Sequence, residues 1–184
     1  MSTRKNKFSK KDKKFMNLAL HLANARHGLT GENPSVGCII VKNDEIISIG
    51  QTGYNGRPHA EYNAIKNSNV SLEGSTMYVT LEPCCHYGQT PPCTKEIIKN
   101  KINKIIYSVE DVDKKVRGKS FKILMLKNIN VKKGLLKKKI IEFYEPYFFN
   151  RNKKVPYVTG KIAISKNNLI FSKGTKRISN IHSD

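Results

Sequence analysis

The sequence predicts a three-layer α/β/α sandwich built on a mixed, mostly parallel five-stranded sheet. Helical and strand-like patterns alternate along most of the 184-residue chain. A hairpin turn is indicated early in the chain, at Lys42-Asn43-Asp44. The strands that follow are short apolar runs, which is typical of buried strands covered by helices.

The first third of the chain predicts one helix and one antiparallel strand pair. A helix is expected over 11–26, where apolar residues recur every three or four positions. Ser9 and Asp12 form a candidate capping box at its start. A buried strand over 36–41 and a returning strand over 45–49 flank the hairpin turn.

The remainder alternates helices and strands, which favours parallel pairing between successive strands. The expected elements are helices over 59–66, 94–100, 119–126 and 137–148, and strands over 77–81, 104–109 and 129–132. A basic linker is expected over 147–155, followed by a strand-like segment over 156–165.

The composition excludes several classes of protein. The chain has 38% hydrophobic and 26% charged residues, a globular profile. No apolar run reaches the roughly 20 residues of a membrane span, and no signal peptide follows the basic N-terminus. We therefore expect a cytoplasmic protein without a membrane partner. The net charge of +20 favours an anionic partner; because the lysines are spread along the chain, we expect a small phosphorylated molecule rather than a nucleic acid.

The four cysteines indicate a metal site. Cys84, Cys85 and Cys93 lie within ten residues of one another, downstream of His59. In a chain without a secretion signal, this clustering predicts metal binding before disulfide formation. Cys38 lies on an apolar strand and is expected in the core.

Two motifs carry the expected chemistry: His59-Ala60-Glu61, and the run from Pro83 to Cys93 that reads P-C-C-H-Y-G-Q-T-P-P-C. A catalytic zinc site needs three protein ligands and one open position for water, and a carboxylate outside the ligand set to move protons. Deaminases of this chemistry carry an H-x-E and P-C-x-x-C signature. Here Tyr87 occupies the position of the second cysteine, so the ligand loop is longer.

This pair of motifs resembles the deaminase domain of the bifunctional riboflavin-biosynthesis deaminase/reductase family, which has a cytidine-deaminase-like fold. The resemblance covers about 11–150 and includes Asn33-Pro34-Ser35-Val36-Gly37 and Glu110-Asp111. It implies that His59, Cys84 and Cys93 bind one Zn²⁺ ion and that Glu61 is the catalytic proton carrier.

The resemblance also implies a reaction. The chain would be a hydrolase acting on a cyclic amidine C–N bond, converting 2,5-diamino-6-(5-phosphoribosylamino)pyrimidin-4(3H)-one to 5-amino-6-(5-phosphoribosylamino)uracil. The implied or candidate substrate contacts are Asn33, Ala60, His86, Gln89 and Arg57.

Three positions depart from the family pattern. Gln89 lies where the family more often has Lys or Arg, Thr52 where many members have His, and Val112 where Pro is usual. Arg57 is a candidate phosphate partner, because the guanidinium fork suits phosphate.

The two ends of the chain predict a partition into a basic tail over 1–10, a deaminase domain over 11–150, and a linker with the truncated start of a reductase domain over 151–184. The segment beginning at Pro156 resembles the first strand of the family's reductase domain, which uses NADPH. These residues are too few for a domain, so we expect no reductase activity from them, and NADPH only if a complete reductase domain exists beyond this chain. A reductase partner and a homo-oligomer are also expected.

Three alternatives remain at this point. A structural zinc site would explain the ligands equally well if Cys85 or His86 supplied a fourth, and the chain would then be a non-catalytic zinc-binding module. The same fold also serves tRNA adenosine deaminases and nucleoside or nucleotide deaminases. The high net charge favours RNA, whereas the long cysteine loop and the reductase-like tail oppose it.

Overall fold

The computed structural model describes residues 8–162, 164 and 166, and these form one five-stranded sheet with five α-helices. The strands are β1 (Gly37–Lys42), β2 (Glu45–Gln51), β3 (Thr76–Leu81), β4 (Lys104–Val109) and β5 (Asn130–Lys133). The helices are α1 (Lys10–Asn24), α2 (Ala60–Lys66), α3 (Cys93–Lys99), α4 (Lys119–Leu126) and α5 (Lys137–Lys153), with a 3₁₀ turn at Tyr54–Gly56.

The sheet is mixed, as predicted, with strand order β2-β1-β3-β4-β5. β1 is antiparallel to both of its neighbours, while β3, β4 and β5 pair in parallel. Four strands therefore point one way and β1 runs against them. The predicted hairpin joins β1 to β2 through Asn43 and Asp44, which have φ angles of 51° and 65°. Two consecutive residues with positive φ are what a two-residue turn of this twist requires.

Helices cover both faces of the sheet, which confirms the three-layer sandwich. α1 packs against β1 and β3, and α5 lies beside α1, with Lys139 Nζ donating to Asn17 Oδ1 at 2.8 Å. On the opposite face α2 packs against β1 and β2, and α3 bridges α2 and α4. The core between the layers includes the fully buried side chains of Ile40, Met77 and Ile105.

The start of α1 matches the sequence prediction. Asp12 N–H donates to Ser9 Oγ at 3.0 Å, and Ser9 N–H donates to Asp12 Oδ2 at 2.8 Å. This reciprocal capping box satisfies two N–H groups at the helix start. Two residues of the expected basic tail therefore contribute to the helix, because Ser9 caps it and Lys10 is its first residue. Residues 1–7 lie outside the described residues.

The expected end of α5 at residue 148 is wrong, because the helix continues to Lys153. Tyr147 and Phe148 both pack against Tyr144, with ring centroids 6.4 and 5.7 Å from it. Tyr147 and Phe148 also pack against the hydrophobic core, which anchors this part of the helix. The linker expected over 147–155 is therefore helical as far as Lys153.

The strand expected over 156–165 is also wrong for the residues that can be described. Residues 156–162 and 164 form no strand, and Val158 and Ile162 are 86% and 71% exposed. A strand forms only against a partner that satisfies its backbone groups, and no partner pairs with this segment in the described part of the chain. The remaining tail, 167–184, lies outside the described residues, so the predicted partition at 151–184 stays a prediction.

Over the ranges that the structure describes, no helix is both long and apolar enough to cross a lipid bilayer.

Candidate active site

The three predicted metal ligands meet at one end of the sheet. His59 immediately precedes α2, Cys84 follows β3, and Cys93 is the first residue of α3. The Nδ1 atom of His59 lies 3.4 Å from the Sγ atoms of both Cys84 and Cys93, and the three ligand atoms all lie within 4.8 Å of one another. Residues separated by up to 34 positions therefore form one compact donor set.

The donor chemistry fits zinc. One imidazole nitrogen and two sulfurs are typical Zn²⁺ ligands, and the thiols bind in the thiolate form. Hydrogen bonding from the Cys93 thiol, with a further contribution from His59, lowers the pKa of Cys84 to about 4. The backbone N–H of Cys93 also donates to Cys84 Sγ, at 3.2 Å. The site thus stabilises a thiolate at neutral pH before any metal is considered.

A fourth protein ligand does not join the group among the described residues. Cys85 Sγ lies instead 3.6 Å from the carbonyl oxygen of Lys115. His86 lines the adjoining cavity but stays outside the donor set. Three ligands leave one tetrahedral position for water, which is the arrangement of catalytic rather than structural zinc sites.

Glu61 supplies a buried carboxyl group beside the donor set. It lies in the first turn of α2, two residues after His59, and is only 4% exposed. Burial, which removes the carboxylate from water, raises its pKa to about 7. A carboxyl group that titrates near neutral pH is suited to both accepting and releasing a proton. We call His59, Cys84, Cys93 and Glu61 the floor of the site.

A cavity opens above the floor, and several predicted contact residues line it. Asn33, Arg57 and His86 are lining residues. Arg57 Nη1 donates to Thr90 Oγ1 at 2.9 Å and lies 3.2 Å from His59 Nε2.

Two predicted contacts lie elsewhere. Ala60 is completely buried in α2, and Gln89 lies in an exposed loop; neither lines the cavity. Their roles as substrate contacts stay predictions.

Thr52, which occupies a position that is often His in the family, forms a hydrogen bond with a structural role in this chain. Its Oγ1 accepts a hydrogen bond from Val36 N–H at 2.9 Å, which fixes the segment before β1 beside the end of β2. Thr52 also lines the cavity.

Sequence reasoning missed part of the cavity wall. Glu82, Asp113, Tyr147 and Arg151 line it, as does Asp111, which the sequence comparison noted without assigning a role. Tyr147 donates to Asp111 Oδ1 at 3.3 Å, which joins the end of α5 to the segment after β4. The spacing of Tyr144, Tyr147 and Phe148 was the available signal, because aromatic residues three and four positions apart continue a helical face. We call the wall formed by Asn33, Arg57, Asp111, Tyr147 and Arg151 the rim.

This strand order, together with one imidazole, two cysteine sulfurs and a buried carboxyl group at one end of the sheet, is typical of zinc-dependent deaminases. Residues 9–109 match the sequence family described as the cytidine and deoxycytidylate deaminase zinc-binding region. The chain belongs to this family.

Individual proteins of known name give a more specific match within this family. It is 41% identical over 139 residues to the diaminohydroxyphosphoribosylamino-pyrimidine deaminase of Buchnera aphidicola subsp. Acyrthosiphon pisum, covering 76% of this chain and 94% of that protein. It is 39% identical over 152 residues to the riboflavin biosynthesis protein RibD of Aquifex aeolicus, covering 83% of this chain and 43% of that protein. The structure of Acinetobacter baumannii RibD superimposes with a TM-score of 0.76 at 36% identity, covering 80% of this chain and 42% of that one. The chain thus spans about two fifths of the length of its RibD relatives, and its similarity to them lies in the deaminase part.

Proposed function

We propose that this chain catalyses the hydrolytic deamination of 2,5-diamino-6-(5-phosphoribosylamino)pyrimidin-4(3H)-one to 5-amino-6-(5-phosphoribosylamino)uracil, a step of riboflavin biosynthesis. The observation that carries the proposal is the floor: a three-ligand donor set with Glu61 buried next to it. The substrate follows from relatives, since the Buchnera protein, covered almost throughout its length, is named for this reaction.

The proposed chemistry replaces a ring amino group by oxygen, consuming one water and releasing one ammonia. His59, Cys84 and Cys93 would hold Zn²⁺, which when bound supplies Lewis-acid activation of water. Glu61 accepts a proton as the water oxygen adds to the amine-bearing carbon. The same carboxyl group then donates a proton to the departing nitrogen, so that ammonia leaves as the C–N bond breaks.

The cavity wall would hold the ring during these transfers. Asn33 and His86 line the same cavity as Glu61 and would offer amide and imidazole groups to a polar heterocycle. Gly56 packs its Cα against the side chain of Asn33 so closely that an added Cβ would collide with it. Asn33 is therefore held in place before substrate binds.

The partner and location expectations stay proposals. A reductase that uses NADPH would consume the product, either as a further domain or as a separate protein. The homo-oligomer and the cytoplasmic location expected from the sequence also remain proposals. Sedimentation of the purified chain tests whether it forms a homo-oligomer.

A turnover assay with matched substrates tests the function. The zinc-loaded chain is incubated with the phosphoribosyl pyrimidine, with tRNA and with cytidine nucleotides, and ammonia and product mass are followed. We expect turnover of the pyrimidine alone. Turnover of tRNA or cytidine nucleotides instead would assign the rival deaminase function, and stoichiometric zinc without any turnover would indicate a non-catalytic zinc module.

A further inference from the structure

Arg151 is a cavity-lining residue that the chemistry at the floor does not use. It lies in the part of α5 that extends beyond the expected helix end, and its guanidinium Cζ is 5.5 Å from the centroid of the Tyr147 ring. Its Nη2 donates to the backbone carbonyl of Glu32 at 3.2 Å. These two contacts hold the side chain across the gap between α5 and the loop before β1.

The guanidinium retains donors for a ligand. Arginine offers five N–H donors. Among the described residues, the one hydrogen bond that the Arg151 side chain donates is that of Nη2 to Glu32. Nη1 is neither bonded nor buried without a partner, so it is available to an acceptor in the cavity that Arg151 lines.

Arg57 lines the same cavity as Arg151. Arg151 is tied to Glu32, the neighbour of Asn33 in the chain, and Gly56, the neighbour of Arg57, packs directly on the Asn33 side chain. The segments that carry the two arginines therefore both contact the loop at Asn33, and Asn33 and the two arginines line the same cavity. Within the described ranges neither one forms an ion pair with a carboxylate, so their charges are not neutralised by the protein.

The remaining ionisable side chains of the cavity include four acidic groups. Glu61, Glu82, Asp111 and Asp113 all line it, and burial raises the pKa of the first three. None of these groups attracts an anion. Apart from a metal ion at the floor, Arg57 and Arg151 therefore offer the fixed positive charges to which an anionic substrate group can bind, while the uncharged ring occupies the space over Glu61.

We infer that Arg151 is a specificity-determining residue that binds the phosphate of a phosphoribosyl substrate together with Arg57. This inference rests on the proposed function. The guanidinium fork matches the oxygens of a phosphate, and no other group of the proposed substrate is anionic. Arg151 thus selects the phosphorylated pyrimidine over its dephosphorylated riboside without taking part in the proton transfers.

Paired substrates test the inference. Arg151→Met retains an apolar stem on Tyr147 and removes the charge, and Lys153→Met, an exposed change in the same helix turn, is the matched control. For the phosphorylated substrate we expect kcat/KM of Arg151→Met to fall about tenfold to hundredfold, through KM, because charge-assisted hydrogen bonds are lost. Turnover of the riboside should change by less than about twofold, as for a surface substitution. Equal losses on both substrates, or no loss on either, would overturn the inference.

A binding measurement separates this inference from the proposed function. Ribose 5-phosphate is titrated into the zinc-loaded chain by calorimetry, and we expect Arg151→Met to bind it at least about tenfold more weakly than the wild type and Lys153→Met. If the wild type turns over neither pyrimidine, the proposed function fails, but the sugar phosphate still tests Arg151. If Arg151→Met does not fold, Arg151→Lys replaces it, with weaker ribose 5-phosphate binding expected because a point charge replaces the fork. Unchanged affinity in the folded variant would overturn the inference.

Discussion

The floor and the rim of the cavity are built in different ways. The floor comes from two short motifs at the starts of α2 and α3 and the end of β3, and its residues are held by backbone contacts such as Cys93 N–H to Cys84 Sγ. The rim comes from four segments, and the two residues joined by the Tyr147–Asp111 bond are 36 positions apart. Each half of the floor is thus set by one short motif, and the two motifs meet where α2, α3 and β3 pack together. The rim instead takes one or two residues from each of its segments and depends on how α5 and the loops pack on the sheet. Chemistry should therefore fail when the floor changes and selectivity should shift when the rim changes.

The largest expected effect comes from Glu61→Gln at the floor. The amide has nearly the same shape but cannot accept and return a proton, so kcat should fall by about 10³-fold. Zinc content, measured by elemental analysis, should stay at the wild-type level because Glu61 is not in the donor set. Turnover within tenfold of the wild type would exclude Glu61 as the proton carrier.

The next largest effect is expected for the loss of a metal ligand, which substitutions of two adjacent cysteines test. Cys84→Ser removes a thiolate and should weaken zinc affinity by more than about 100-fold, since losses of supporting residues alone cost 10- to 100-fold. Cys85→Ser is the matched control, because Cys85 contacts Lys115 instead of the donor set. Competition with a chromogenic chelator measures both. Comparable weakening in the two variants would mean that the ligand assignment is wrong.

A smaller effect is expected at Asn33 on the rim. Asn33→Ala should lower kcat/KM by about tenfold through loss of a ring contact, while zinc content stays unchanged. Asn17→Ala on α1, which contacts Lys139 rather than the cavity, provides the control. Steady-state kinetics check this, and a loss of zinc in Asn33→Ala would show that floor and rim are not separable.

The smallest effect is expected for Tyr147→Phe. This change removes only the 3.3 Å hydrogen bond to Asp111, and one such bond contributes about 1 kcal/mol. We expect a rise in KM of a few-fold with kcat nearly constant, and a similarly small decrease in the free energy of unfolding measured in urea. A fall in kcat as large as that of Glu61→Gln would contradict the division between the two regions.

The sequence predicted most of the fold because local signals agreed with the final structure. The Ser9 capping box, the Asn43-Asp44 turn and the apolar strand runs each specify their element within a few residues. Elements whose ends depend on distant contacts were predicted less well. Helix α5 runs five residues further than expected, and Tyr147 and Phe148 near its expected end pack against the hydrophobic core.

The residues of the candidate site also fall into two groups, those predicted from the sequence and those that only the structure revealed. The H-x-E motif indicated His59 and Glu61 from the sequence, whereas the choice of Cys84 and Cys93 over Cys85 followed from the resemblance to the riboflavin-biosynthesis deaminase family. Only the tertiary structure decided that Arg151 lines the same cavity as Arg57, that Tyr147 bonds to Asp111 and that Gln89 is exposed. Such contacts join residues far apart in the chain, and their positions follow from the packing of whole layers rather than from any local preference of the backbone.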